Sequence, residues 1–348
     1  MRRACHAGRR LPVLVCVKTS KEIIAGPDET PQASAEPPAR LRRWPRWLAG
    51  TVALLLAAVL LVAYVWQPPA VEGYRSPYLD RVHSQYADSP VARFHYTKTG
   101  QGAPVVLIAG GAQWRYSYRD TIPALAENHT VYAVDLPSQG YTEVAEDFSY
   151  TIPAMADTIG TFMDAVGLKK ASLVGHSWGG AWSLSFVERH PERVDKLVLM
   201  DSPGLNKEPA SQTAAFELPV VGEVAVKLMR RPDFETSLRS AFAHQDRVTA
   251  EVIDETWAWL SRPERRAAFV ELARGQDYAP LDQGLGRISA STLIVWGQDD
   301  HWLPASYARE YGERIPGAEV KVIPGAGHNV HEDDPAQVNP LLVKFLSP

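Results

Sequence analysis

Short apolar runs alternate along this chain with longer stretches in which apolar positions recur every three or four residues. Pro104 to Ala109, His129 to Val134 and Val194 to Met200 read as strands buried on both faces, and Ala171 to Gly175, Thr292 to Trp296 and Val320 to Ile323 as further strands of the sheet. Val91 to Thr97 alternates instead, as an edge strand does, and runs into the turn Gly100-Gln101-Gly102. Between these runs, Ile152, Met155, Ile159, Phe162, Met163 and Val166 mark one face of a helix that Gly167 closes, and a further helix ends at His190 before Pro191. Strands alternating with helices predict an α/β fold, a mostly parallel doubly wound sheet with its sites at the strand C-termini.

The alternation stops between Asp201 and Ser291. A structureless loop of that length does not suit a compact domain, so residues 202–290 should carry helices of their own. Val220 to Met229, Thr249 to Leu260 and Pro263 to Arg274 qualify, the last with Ser261 as N-cap, Pro263 at N1, Glu264 at N3 and Gly275 beyond its end. The sheet-forming parts are therefore 85–201 and 291–348.

The N-terminal pattern is different. Residues 1–46 are rich in Arg and Pro with little apolar periodicity, which reads as a disordered basic tail. Trp47 to Trp66 then runs twenty residues without a charge. As a helix it would be about 30 Å long, the thickness of a bilayer's hydrocarbon core, and it is apolar all round. This predicts one transmembrane helix with Trp44, Trp47, Tyr64 and Trp66 at the interfaces. Arginines crowd its N-terminal side and the first charge after it is Glu72, which places the tail in the cytoplasm and the remaining chain outside it. A cleaved signal peptide is the competing reading, against which stand the long apolar region and the absence of an A-x-A-like site. Residues 67–84 read as a Pro-containing linker. Both cysteines, Cys5 and Cys16, precede the span, so the later chain has no thiol to mispair.

Composition adds limits. With 348 residues, 45% hydrophobic content and a net charge of −4, the chain is globular rather than disordered throughout. Mild acidity and the lack of a basic stripe argue against a nucleic-acid partner. No His or Cys cluster has metal-ligand spacing, and neither metal nor cofactor is expected.

Chemistry concentrates in Gly175-His176-Ser177-Trp178-Gly179-Gly180, between a strand and a helix. A sharp strand-to-helix turn would present the Ser177 hydroxyl at a helix N-terminus, with small residues two before and two after it. The motif resembles the nucleophile elbow of the α/β-hydrolase superfamily. Other positions match that family's pattern: Gly110-Gly111-Ala112 after a strand, Asp135-Leu136-Pro137-Ser138-Gln139-Gly140-Tyr141-Thr142, Gly297-Gln298-Asp299-Asp300, and Gly325-Ala326-Gly327-His328. The resemblance covers roughly residues 85 to 346.

It implies a triad of Ser177 as nucleophile, His328 as general base and Asp300 as the acid that orients the imidazole, with the Gly111 and Trp178 amides as oxyanion hole. Asp299 and Asp201 stay open as alternative acids. His331 and His176 read as structural, and Asp135 as a turn residue. The chain departs from the family by placing Ala109 where a histidine is usual, which puts the anchoring of the Gly110-Gly111 loop in question. The insertion should be a helical lid, with Phe216, Trp257, Trp259 and Phe269 as candidates to line it. The resemblance implies a small-molecule ester or amide substrate. Carboxylic ester hydrolysis through an acyl-enzyme is the expectation, because serine at the apex rather than aspartate sets the chain apart from epoxide hydrolases and haloalkane dehalogenases. A prolyl-type aminopeptidase, with Glu208, Glu217 or Glu223 holding the substrate ammonium, and an inactive binding module are the rivals.

Overall fold

The computed structural model describes residues 46–145, 147–207 and 213–347. The tail with both cysteines and Glu208 lie outside the described residues. The chain divides into Met1–Ala49 and Gly50–Pro348.

The larger unit is built on a nine-stranded sheet of β1 (Gln85–Asp88), β2 (Ala92–Thr99), β3 (Ala103–Ile108), β4 (His129–Asp135), β5 (Glu143–Val144), β6 (Ala171–His176), β7 (Val194–Met200), β8 (Ser291–Gly297) and β9 (Glu319–Ile323). Its order is β1-β2-β4-β3-β6-β7-β8-β9, with β5 pairing to β2. From β4 to β9 all pairings are parallel. The apolar runs follow from this position. Val106, Ile108 and Leu173 face a core under helices Ile152–Ala165, Trp178–Arg189 and Ser306–Arg314, while Val105, Leu107 and Val174 face another under Thr121–Ala126 and Pro335–Leu346. A strand covered on both sides has no solvent face on which to place polar residues.

Val91 to Thr97 is not an edge strand. It forms β2, which pairs antiparallel with β4 on one side and β1 on the other, and the short, mixed Gln85–Asp88 takes the edge. Phe94, His95, Tyr96 and Thr97 are all buried, so its alternation is one of residue type and not of exposure.

Between β7 and β8 the described residues, 202–207 and 213–290, include a helical insertion. Helices Val221–Leu228, Ala250–Leu260 and Pro263–Arg274 stand close to the expected places, joined by Ala214–Glu217, Arg231–Ser240 and Ala279–Gly284. Arg231–Ser240 buries only Phe234 and Leu238, a stripe too narrow to read from periodicity. Ser261 is not an N-cap: Arg262 holds that position without a side-chain cap, while the Ser261 hydroxyl accepts the Val71 N–H at 3.1 Å.

That bond is part of a larger departure from expectation, because residues 67–84 are not a free linker. The short helix Pro77–Arg81 docks into the insertion, with Tyr78 buried among Trp114, Tyr116 and Phe234. Burying such a ring stabilises by about 2 kcal/mol. Buried Glu255 anchors the segment, accepting the Ser76 hydroxyl at 2.7 Å and the Tyr78 N–H at 2.9 Å.

Upstream, helix Arg46–Leu60 continues as a π-turn over Leu61–Val65 and ends at extended Trp66. Trp47–Val65 is long and apolar enough to cross a membrane, by length and composition.

Glu255→Ala should lower unfolding stability by about 1–3 kcal/mol, because it strands the Ser76 and Tyr78 donors. Glu251→Ala, which breaks the exposed pair with Arg81 and a long 3.5 Å bond from the Tyr116 hydroxyl, should cost less than about 1 kcal/mol. Urea midpoints of the two variants check the difference.

Candidate active site

The site grows from the junction of β6 and helix Trp178–Arg189, where the chain reverses within one residue. Ser177 takes φ 48° and ψ −126°, a conformation that costs an L-residue of order 1–3 kcal/mol and must be held by its surroundings. Its N–H donates to Met200 O at 2.9 Å, and its carbonyl accepts the Gly180 N–H at 2.9 Å. The elbow closes only because Gly175 and Gly179 lack side chains. A Cβ on Gly175 would stand 2.6 Å from Gly179 O, and one on Gly179 would stand 2.4 Å from Ile108 O.

The Ser177 hydroxyl points at His328 Nε2, 3.0 Å away, and His328 Nδ1 lies 2.8 Å from Asp300 Oδ2. Asp300 Oδ1 accepts the N–H groups of Trp302 at 2.7 Å and Leu303 at 2.9 Å, so the carboxylate is fixed from both sides. This arrangement can keep the proton on His328 Nδ1, leave Nε2 free to take the hydroxyl proton, and stabilise the imidazolium that forms. The Trp302 ring lies against His328, its centroid 4.9 Å away.

Asp299 is exposed, outside this chain of bonds. Asp201 is buried and accepts the Gly297 N–H at 2.8 Å, holding the end of β8 from which Asp300 projects. Burial, with Asp300 nearby, pushes the Asp201 carboxyl well above the usual carboxylate range.

Residues 103–335 match the family model of the α/β hydrolase fold. The chain belongs to the α/β-hydrolase fold family. A 2-hydroxy-6-oxo-6-phenylhexa-2,4-dienoate hydrolase of Burkholderia cepacia is 30% identical over 267 residues, 73% of this chain and 91% of that protein. One of the same name from Comamonas testosteroni is 30% identical over 72% of this chain and 90% of its own length. Among solved structures, a meta-cleavage product hydrolase of Pseudomonas fluorescens IP01 superposes with a TM-score of 0.68 at 26% identity, covering 76% of this chain and 97% of that one.

In this α/β hydrolase, Gly111 and Trp178 both line the cavity beside Ser177. They touch each other: a Cβ on Gly111 would meet the Trp178 indole at 2.3 Å. Gly110 spends its N–H on Gln113 Oε1 at 3.2 Å, which leaves Gly111 as the loop's candidate oxyanion donor.

The unusual Ala109 does not leave the loop loose. Gln139 Nε2 donates to the carbonyls of Ala109 and Gly110, both at 2.9 Å, while its Oε1 accepts the Leu136 N–H. Gln113 Nε2 donates to Glu332 Oε1 at 3.1 Å, and Glu332 in turn pairs with Arg119. The His328 loop is fixed by Asp333, whose carboxylate accepts the N–H groups of Gly327 at 2.7 Å and of Ala243 and His244 at 2.9 Å. None of these four polar residues was singled out for anchoring, since each acts on partners remote in sequence.

Behind the serine, His176 turns away from the cavity mouth, with its ring nitrogens 2.8 Å from Gln113 Oε1 and 2.9 Å from His328 O. Burial, with His331 and His328 beside it, holds its pKa well below the ordinary value. Burial, with Arg119 and His328 nearby, brings His331 down to about 3. Both are neutral supports. Asp135 accepts from His95 at 2.7 Å and from the Arg115 N–H at 2.9 Å, a buried cluster away from the triad.

The cavity over Ser177 has a volume of about 350 Å³. Phe216 and Phe269 line it, together with Tyr278, Leu260 and Met229, whereas Trp257 and Trp259 pack inside the insertion. Its described charged lining, besides histidine, is Lys207, Glu217 and Asp277. Lys207 is paired with Glu310 at 2.9 Å. Among the described residues no cluster could hold a metal ion.

Asp300→Asn should reduce kcat by about 10⁴-fold. Asp201→Asn, which preserves an acceptor for Gly297, should change it by less than about threefold. Steady-state rates on one ester separate the two acids.

Proposed function

We propose that this α/β hydrolase cleaves carboxylic esters by acyl transfer to Ser177 and then to water. The observation that carries the reading is the continuous chain from the Ser177 hydroxyl through His328 to Asp300 at the floor of an apolar cavity. In the first step His328 Nε2 takes the hydroxyl proton as Ser177 Oγ attacks the carbonyl carbon. The oxyanion then meets the Gly111 and Trp178 amides, and His328 returns the proton to the departing alcohol. Water, deprotonated by the same nitrogen, releases the acid. The insertion serves as a lid that keeps bulk water from the acyl-enzyme.

A second reading is C–C bond hydrolysis of the meta-cleavage type, favoured by the names of the relatives at 30% identity. Dienoate substrates carry a carboxylate. The described charged lining offers one cation, already paired, against two carboxylates, which suits a neutral ester better. For a prolyl-type aminopeptidase, Glu223 is committed to Arg274 by bonds of 2.8 and 2.9 Å, which leaves Glu217, beside Asp277, at the cavity to hold an ammonium. An inactive binding module would have no use for a serine held in a strained conformation against a carboxylate-backed imidazole.

We further propose that the helix from Trp47 to Val65 anchors the protein, with residues 1–46 cytoplasmic and the hydrolase outside. The arginine-rich tail and the uncharged, exposed span support this.

A fluorophosphonate probe should label the wild type and not Ser177→Ala; labelling of both would point to another nucleophile. On a substrate panel, p-nitrophenyl esters should turn over at least about tenfold faster than 2-hydroxy-6-oxo-6-phenylhexa-2,4-dienoate or proline aminoacyl amides, and the reverse order would select a rival chemistry. Alkaline phosphatase fused after Pro348 should be active in a bacterial host, and activity restricted to a cytoplasmic reporter would refute the orientation.

A further inference from the structure

Among the described residues beyond 71, the large apolar side chains left exposed are Tyr86, Leu218, Val221, Leu228 and Val322. Three of these five fall within eleven residues, at 55%, 48% and 54% exposure for Leu218, Val221 and Leu228. Val221 and Leu228 are seven apart on helix Val221–Leu228 and so share a face. The opposite side of this helix is occupied: Gly222 and Val226 are buried, and Glu223 is paired with Arg274. A helix with one apolar face in the protein and another in the open has a missing neighbour.

The position of the helix says what that neighbour is. It packs against the turn Leu61–Val65, the last turn of the candidate span, and Lys227 Nζ donates to Trp66 O at 2.9 Å. It therefore lies beside the span's final five residues, within about 7 Å of the end at the usual helical rise. That depth is the boundary between headgroups and acyl chains, where interfacial helices bury their apolar faces. The adjoining residues Phe216, Glu217 and Met229 line the cavity over Ser177. One short stretch of the lid is thus the outer wall of the active-site cavity and the neighbour of the membrane helix.

We propose that the segment from Phe216 to Met229 is embedded in the surface of the bilayer that holds the anchor, and that the cavity draws a long-chain acyl ester of a membrane lipid from it. The proposal rests on both the esterase and the anchor readings above. The occupant of the exposed face is lipid rather than a protein because the helix packs on the turn of the span that carries exposed Leu61, Tyr64 and Val65, so a bilayer that takes up these side chains reaches the helix too.

The test uses the full chain reconstituted in phosphatidylcholine vesicles carrying a fluorogenic long-chain acyl-ester lipid, with p-nitrophenyl butyrate as a soluble ester. Leu218→Asp, Val221→Asp and Leu228→Asp combined should cut hydrolysis of the bilayer ester at least about tenfold while leaving p-nitrophenyl butyrate within about twofold. Equal handling of both esters by wild type and variant would overturn the proposal, as would wild type that cleaves only the soluble ester. Should the variant lose both activities, the wild-type lid decides through a fluorophore on Leu228→Cys in a Cys5→Ser, Cys16→Ser background. Shallow spin-labelled lipid should quench it but spare the same label on Tyr86→Cys, and no quenching at 228 overturns the proposal. Failure of the underlying readings looks different: wild type inert on p-nitrophenyl butyrate sinks the esterase, and release by alkaline carbonate sinks the anchor.

Discussion

The backbone of Ser177 sits in a conformation that a free chain avoids, and the surrounding architecture makes it unavoidable. With φ 48° and ψ −126°, the residue joins the buried strand β6 to a helix that must start at once, and that junction aims the hydroxyl out of the sheet toward the imidazole. The strain costs of order 1–3 kcal/mol, which the packed strands on either side of β6 can supply. Met200 on β7 fixes the Ser177 amide, and Ile108 on β3 crowds the helix's first turn. Ser177 is thus positioned by the middle of the sheet rather than by its own loop.

The rest of the site arrives on loops, and a second device holds them. Gln139 ties the Gly110-Gly111 turn to the loop after β4, Gln113 ties the same turn to Glu332, and Asp333 ties the His328 loop to the helical insertion. All four side chains are buried, where an unmade hydrogen bond is costly, so each link is nearly all or none. Loops bound in this way keep the His328 imidazole 3.0 Å from the Ser177 hydroxyl without needing a helix or strand beneath it.

Much of this was legible in the sequence, and the reasons differ by element. Strands such as Val194–Met200 announce themselves because both faces are covered from Leu197 to Met200, where every position must be apolar. Ser177, Asp300 and His328 could be named because each closes a glycine-marked turn after a strand, although the strand before His328 is itself largely exposed. What stayed hidden depends on partners distant along the chain. Gln113 and Glu332 are 219 residues apart, and no local pattern reveals that one will satisfy the other. Tyr78 lies in a stretch whose prolines suggested a spacer, yet its ring completes an apolar cluster built from the insertion. The Arg231–Ser240 helix escaped because its buried stripe is two residues wide.

The central claim is that Ser177 carries the acyl group between the two halves of the reaction. Acid-quenched turnover of a slowly deacylating p-nitrophenyl ester, followed by peptide mass spectrometry, tests it most directly. The account predicts a mass increase equal to the acyl group on the peptide containing Ser177. A steady-state reaction with an unmodified Ser177 peptide and the adduct on another side chain would contradict it.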